Sequence, residues 1–350
     1  MNAKTIGMLG GGQLALMAAQ AAQSIGLDVM PFDPNPDSPA FKICRRYLTT
    51  HWNHPNALRF LSYQADVITY EFENIPLETL NILQKEHGKT IYPNPNLLEI
   101  TQHRLSEKNY LNKIGIPTTD YAVFENQEQL GDVLENWNEE QCILKTCRFG
   151  YDGKGQVFYK KNDMLPGLKG ELIIERCVDF DCEISVIVAR DQFSTIKCYP
   201  AVMNEHKNHI LHKTTAPAPI KKEIANTARD YAEKLAKETE LVGVLALELF
   251  VTKTGEVLAN EIAPRPHNSG HWTIEGCKTS QFEQQIRAVA GLPLGDIDPV
   301  RPAEMINLLG NDIDNLSAYE SNPNAHIHLY GKPETKPGRK MGHVTILKEA

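Results

Sequence analysis

The sequence has no run of roughly 18 apolar residues, no closely paired cysteines of the zinc or redox type, and no internal repeat or tract of low complexity. The first absence excludes a membrane-spanning helix, and the last excludes fibrous and disordered classes. The N-terminal residues lack the charged segment and long apolar stretch of a secretory leader, so a cytoplasmic protein is expected. Seven cysteines, Cys44, Cys142, Cys147, Cys177, Cys182, Cys198 and Cys277, form an odd and scattered set, which reads as reduced thiols. Basic charge is also short: 36 Lys and Arg stand against 44 Asp and Glu, a net charge of −8. That balance argues against nucleic acid or an anionic membrane as partner, so any phosphate ligand must be held by local cations.

What is present is an ordinary globular composition, 350 residues with 41% hydrophobic and 23% charged, enough for about two or three domains. The first hundred residues alternate strand and helix. TIGML (5–9) leads through GGGQ into LALMAAQAAQSIG, then DVMPFD (28–33), a helix over 56–63, ADVITYEFENIP, a helix LETLNILQKEHG and a last strand KTIYP. This order predicts a right-handed, mostly parallel sheet. A helix is expected over 96–114, closed by Gly115 and Pro117. Beyond it, EQCILKTCRFGYDGKGQVFYKK reads as two strands around a glycine-rich loop, ELIIERCV as a third, and the remainder as a larger α+β unit.

Four places carry chemistry. GGGQLA after a strand, with Asp33 further on, satisfies a dinucleotide fingerprint, although such a loop can equally receive another anion or merely pack on the sheet. The loop Gly150 to Gln156 holds three glycines in six residues, more than a tight turn at Asp152-Gly153 needs. It predicts a flap whose N–H groups close on phosphates, with Lys145 as a point charge; it is not a Walker motif, because Gly155 follows Lys154. If Thr254-Gly255 form a two-residue turn, Lys253 pairs with Glu256 and Glu248 faces Glu261 on the next strand. Two carboxylates sharing an apolar sheet face call for a hard divalent cation, whereas a one-residue slip would send them to opposite faces. Arg265, His267, Asn268 and His271 crowd the following loop, and Lys332, Lys336, Arg339 and Lys340 form a late basic stretch suited to a phosphate-bearing substrate.

In order along nearly the whole chain, GGGQL, YEFENIP, FGYDGKGQ, ELIIERCV, ALELF, NEIAPRPHNSGHWT, MINLLG and KPGRKMGH resemble the N5-carboxyaminoimidazole ribonucleotide synthetases of the ATP-grasp superfamily. The resemblance implies an ATP-grasp fold preceded by a Rossmann-like parallel-sheet domain, with limits expected at 1–100, 101–177 and 178–350, in a homodimer. It also implies a ligase that uses ATP, Mg²⁺ (or Mn²⁺) and bicarbonate to carboxylate 5-aminoimidazole ribonucleotide.

Carried over by position, ATP contacts fall on Arg104, Lys145, Gly150, Tyr151, Asp152, Gly153, Lys154, Gly155, Gln156, Glu175, Arg176, Cys177, Val178, Glu183, His206, Asn260 and Glu261. Glu175 and Val178 would meet adenine through backbone groups. The metal falls on Glu248 and Glu261. Bicarbonate and carboxyphosphate fall beside Arg265, His267 and Asn268. The ribonucleotide phosphate falls on Lys332 and Arg339, with Gln13, Glu73, Tyr151 and Asp152 around the rest, Asp152 steering the amine proton. The chain departs from the family at Ala15 and Leu16, where Gly-Arg is common, at Lys336, where Arg is frequent, and in a C-terminus that lacks the usual last helix. The alternatives are an NAD-dependent oxidoreductase, a formate-dependent ligase of the same superfamily acting on another ribonucleotide, and a nucleotide-binding protein without catalysis.

Overall fold

The computed structural model describes residues 4–150 and 153–349; Tyr151 and Asp152, both expected to contact ligand, lie outside the described residues. Among these residues the strands form three sheets. The first is parallel, with β1 (Thr5–Leu9) between β2 (Asp28–Phe32) and β3 (Val67–Tyr70). The helix Gln13–Ser24 lies close on it because Ala15, Ala18, Ala19 and Ala22, all buried, present only methyl groups. KTIYP is not a full strand: it contributes a single bridge, Ile68 to Ile91.

The segment expected as one helix over 96–114 is two, Pro95–Thr101 and Arg104–Lys113. The break at Gln102 and His103 lets the Gln102 amide donate to the carbonyls of Glu73 and Ile75, 2.8 Å each, which ties this connection to the first sheet. The second sheet is antiparallel, in the order β4 (Tyr121–Val123), β7 (Leu172–Arg176), β5 (Gln141–Thr146), β6 (Gln156–Lys160). Leu130 and Leu134 of the helix Gln127–Trp137 cover it, against Leu144 and Ile174.

The third sheet is the largest. Its strands are β8 (Phe180–Arg190), β9 (Ile196–Cys198), β10 (Val202–Lys207), β11 (Ile210–Ala216), β12 (Gly243–Thr252), β13 (Val257–Ala263), β14 (Ala303–Leu309), β15 (Ala325–Leu329) and β16 (Lys340–Leu347). They run β13-β12-β8-β10-β11-β14-β16-β15, with β9 on β8. The His- and Lys-containing stretch after Met203 forms the β10–β11 hairpin. Its tip residues Asn208 and His209 take positive φ angles of 51° and 64°, as a two-residue turn with right-handed strand twist requires. The late basic stretch likewise runs into a strand, β16, absent from the sequence reading.

One face of this sheet is apolar: Ile184, Val186, Val188, Leu245, Leu247, Leu249 and Ile262 pack beneath the amphipathic helix Lys222–Glu238. The opposite face is apolar at its lower end, around Ile187, Val244, Ala246 and Trp272, and polar at its upper end. That polar end is where the site lies. No helix among the described residues is long and apolar enough to cross a membrane.

Candidate functional site

Cross-strand partners share a sheet face, and the ladder places Glu248 opposite Glu261 and, on the other side, opposite Ser185. The expected carboxylate pair is therefore present, but by a different count. The tip is a three-residue loop: the Thr252 N–H donates to the Glu256 carbonyl, and Gly255 takes φ 87°. That register alone would set Glu248 against Asn260 and drop Glu261 onto the apolar face beside Leu247. A β-bulge between Glu248 and Leu249 absorbs Asn260 and restores the pair. Two one-residue shifts cancel.

Each carboxylate has its own cationic or ring partner. Glu248 Oε1 lies 2.9 Å from His267 Nε2, and Glu261 Oε2 lies 3.3 Å from an Arg104 guanidinium nitrogen. Burial works against charge on Glu248, but His267, with His206 and Lys340, holds its carboxyl at about 2. On the same face Glu183 contacts His206 Nδ1. Asn260 Oδ1, at the bulge, is buried without a partner among the described residues. Two facing carboxylates with an unpaired amide oxygen beside them form an oxygen donor set, which suits a hard ion of the Mg²⁺ or Mn²⁺ kind.

Beside these acids stands a group of cations on the second sheet and the helix Arg104–Lys113. Lys145 Nζ lies 2.7 Å and Lys108 Nζ 3.2 Å from the two oxygens of Glu175, and all three residues are buried. Burial alone would raise the Glu175 carboxyl, yet Lys145 and Lys108 bring it down to about 2. Glu107 accepts the Ile262 N–H at 2.6 Å; burial, reinforced by Glu261, pushes its carboxyl up to about 8. It can therefore stay protonated beside Glu261 rather than add a third negative charge. Neither Lys108 nor Glu107 was singled out in the sequence. Their signal was there: Arg104, Glu107, Lys108 and Leu111 recur with the spacing of one buried helix face, three of them charged.

A methyl group on Gly150 would lie 2.9 Å from the Arg104 guanidinium, and one on Gly153 would lie 2.5 Å from His209 at the β10–β11 tip, so both glycines permit close approach. Gln156 Nε2 is 3.4 Å from His209 Nδ1. Glu73, Arg104, Glu107, Gly150 and Glu261 line one small cavity of about 40 Å³, so residues from all three sheets' regions meet here. Arg176 turns its side chain away, to Asp120 at 2.8 Å and over the Trp137 ring, leaving only its backbone, with Cys177 and Val178, on the connection to β8.

The first glycine loop does not present itself to a ligand. Gly11 N–H donates to Asp33 Oδ2 at 2.8 Å, and the Gly12 and Ala15 N–H groups donate to the Glu71 carboxylate at 2.8 and 3.3 Å. A dinucleotide pyrophosphate would need those donors, and Asp33 would need to be free for ribose, so the oxidoreductase reading fails on this geometry. Glu71 was missed because the register of β3 against β1, with Leu9 opposite Tyr70, is what sets it beside Gly10, and the strand order alone does not give that register.

Glu73, two residues on, contacts the Arg265 guanidinium, which keeps its carboxyl below the usual range despite burial. Gln13 stands half-buried at the start of the helix. The loop after β13 is fixed by Gln281, which accepts from the His267 N–H at 2.9 Å and donates to its carbonyl at 2.7 Å. Asn268 is buried, with both side-chain atoms unpartnered among the described residues. His271 lies deeper, and burial together with His343 lowers its pKa far below the ordinary value. In the late basic stretch Lys332 Nζ donates to the Lys340 carbonyl at 2.7 Å and Arg339 to the Glu334 carbonyl at 2.8 Å, while Lys42 of the first region reaches the Gly331 carbonyl. Lys336 pairs with Glu334 at 2.8 Å, both exposed.

Three family models match in sequence order: a ribonucleotide synthetase preATP-grasp domain over residues 3–102, an ATP-grasp domain over 109–282, and a phosphoribosylaminoimidazole carboxylase C-terminal domain over 303–350. The chain is similar, at 43% identity over 353 residues, to the N5-carboxyaminoimidazole ribonucleotide synthase of Bacillus subtilis, covering 98% of this chain and 91% of the relative. A solved N5-carboxyaminoimidazole synthetase from Staphylococcus aureus in complex with ADP matches with TM-score 0.93 and 37% identity over 99% of this chain and 94% of that one. An N5-carboxyaminoimidazole synthase from Aspergillus clavatus, in complex with ADP and 5-aminoimidazole ribonucleotide, matches with TM-score 0.90 and 30% identity over the same shares.

Proposed function

The chain belongs to the N5-carboxyaminoimidazole ribonucleotide synthases, ATP-grasp ligases of purine biosynthesis, and from that premise we propose how its own residues carry out the ATP-dependent carboxylation of 5-aminoimidazole ribonucleotide. Bicarbonate supplies the carboxyl group. It is a poor electrophile, so ATP first converts it to carboxyphosphate, whose carbon the exocyclic amine of the ribonucleotide then attacks, releasing phosphate.

The observation that carries this reading is the meeting of opposite charges under one flap: Glu248 and Glu261 on the sheet face, Lys145 and Arg104 beside them. Glu248 and Glu261, with Asn260, would hold Mg²⁺, and the ion when bound offsets charge spread over the phosphoryl oxygens. Lys145 adds a second positive charge, pre-positioned by Glu175 rather than left to find its place in water. Adenine and ribose fall against the connection Glu175 to Val178 and Glu183 with His206. Arg265, held by Glu73, offers a planar fork for bicarbonate, and His267 and Asn268 complete that pocket. Lys332 and Arg339 take the ribonucleotide phosphate, with Gln13 and Glu73 opposite. Tyr151 and Asp152, which lie outside the described residues, are assigned to the aminoimidazole by the family pattern, Asp152 accepting or steering the proton the amine loses, and closure of the glycine-rich loop keeps water from carboxyphosphate. We place the domain limits at 1–100, 101–177 and 178–350, and expect a cytoplasmic homodimer, which sedimentation would establish.

The test is ADP release. It should require 5-aminoimidazole ribonucleotide and bicarbonate together. Release supported by formate with another ribonucleotide, and not by bicarbonate, would instead favour the formate-dependent branch of the superfamily.

A further inference from the structure

Glu248 is joined through His267 to a line of buried polar groups that the carboxylation reading leaves unused. His267 Nε2 faces Glu248 Oε1 at 2.9 Å. Its other ring nitrogen, Nδ1, lies 2.9 Å from Ser269 Oγ and receives the Ser269 backbone N–H at 3.3 Å. Ser269 Oγ in turn lies 2.7 Å from Ser185 Oγ, Asn204 Nδ2 is 3.0 Å from Ser185 Oγ, and Thr214 Oγ1 is 3.0 Å from Asn204 Oδ1. Ser185, Thr214 and Ser269 are 0% exposed and Asn204 is 7% exposed, so bulk water does not substitute for any link. The register explains the alignment: Glu248 pairs with Ser185 on β8, and Asn204 of β10 pairs with Thr214 of β11, all on the polar sheet face.

We infer that Thr214, Asn204, Ser185 and Ser269 are positioning residues that hold His267 with its proton on Nε2, directed at Glu248. The backbone dictates the direction. An N–H can only donate, so the Ser269 backbone requires Nδ1 to be an acceptor, and the proton of the neutral ring is left to Nε2, 2.9 Å from Glu248 Oε1. Thr214 donates to Asn204, and from there each side chain takes one hydrogen bond and gives one: Asn204 to Ser185, Ser185 to Ser269, and Ser269 to His267. Turning the imidazole over, or moving its proton to Nδ1, would strand a buried hydroxyl and a backbone N–H. The consequence for the reaction rests on the proposed place of His267 beside bicarbonate: with Nε2 engaged by Glu248 and Nδ1 by Ser269, the ring is held in one orientation there.

The experiment is nitrogen-15 NMR of the full chain labelled at histidine, with the His267 resonances identified by their loss in His267→Asn. The expected result is a protonated Nε2 and an unprotonated Nδ1 in the wild type, with Nδ1 shifted in Ser269→Ala. Asn204→Asp, which keeps the shape but turns a donor into an acceptor, should shift it in the same direction by drawing the Ser185 hydroxyl away. Turnover should follow, with kcat for Ser269→Ala lower by about 10- to 100-fold and the Michaelis constant for ATP little changed. Thr214→Val, at the far end, should show the same pattern more weakly and serves if a nearer variant fails to fold. A wild-type His267 protonated on Nδ1, or an Nδ1 resonance identical in the wild type and every folded variant, would overturn the inference, even if kcat fell. The spectra are recorded without substrates, so they decide this point independently of whether bicarbonate-dependent ADP release is found.

Discussion

Two glycine-rich loops of this chain look alike in sequence and differ in what surrounds them. The first, Gly10 to Gly12, is wrapped on the protein's own carboxylates: a methyl group on Gly10 would lie 2.6 Å, and one on Gly12 2.9 Å, from Glu71 Oε1, while Asp33 takes the Gly11 N–H. In the second, Gly150 to Gln156, Gly150 lies against Arg104, Gln156 pairs with Lys145 across the two strands, and among the described residues no side-chain carboxylate accepts a hydrogen bond from its glycines. Glycine says only that another group approaches the backbone closely. The charge of the neighbours says whether that group is already part of the protein or is to be supplied by a ligand.

The sharpest way to break this contrast is to neutralise the acids facing the second loop. Glu261→Gln should lower kcat for ADP release by about 100-fold or more while leaving thermal unfolding near that of the wild type; near-normal turnover at saturating Mg²⁺ would remove Glu261 from the ion's ligands. Removing the carboxylate between the lysines, Glu175→Ala, strands two buried cations and should cost about 3–5 kcal/mol of stability, read from urea midpoints. The same residue sets a pH dependence. Its carboxyl titrates at about 2 in the folded chain against about 4.3 when unfolded, so its contribution is complete above about pH 4.3 and is lost as pH falls toward 2. The stability advantage of the wild type over Glu175→Gln should shrink correspondingly between about pH 4.3 and about pH 2.

Lys332→Ala should raise the Michaelis constant for the ribonucleotide by about tenfold, the worth of one charge-assisted hydrogen bond, and leave that for ATP in place; the reverse would relocate the substrate phosphate. The first loop should respond in stability rather than in binding. Gly10→Ala, at φ 108° and against Glu71, should cost about 1–3 kcal/mol, with the ATP constant of the surviving folded enzyme unaltered. An ATP constant that rose with the stability loss would make the two loops alike after all.

Much of the fold was legible because local periodicity and turn residues carry it: the parallel β1 and β3, the flap strands β5 and β6, and the β12–β13 hairpin. The facing of Glu248 and Glu261 was legible for a reason that was only half right, since a longer loop at Gly255 and a bulge at Asn260 cancel in the count, and neither has a side-chain pattern to announce it. KTIYP has strand composition but meets the sheet at one bridge only. What stayed hidden depends on contacts between distant segments. Glu71 caps the first helix across a parallel pairing, Glu107 and Lys108 are charges on a face where apolar residues are expected, and Ser185, Asn204 and Thr214 are unremarkable until three strands set them in line. The resemblance of motifs assigned to ATP a set of residues that local chemistry alone could not have joined.

The central claim is that this site makes carboxyphosphate from ATP and bicarbonate before the amine is carboxylated. Bicarbonate labelled with heavy oxygen tests it most directly, by mass analysis of the inorganic phosphate released with ADP. The account predicts that each phosphate carries one labelled oxygen from bicarbonate; phosphate free of the label, formed at the rate of ADP, would contradict it.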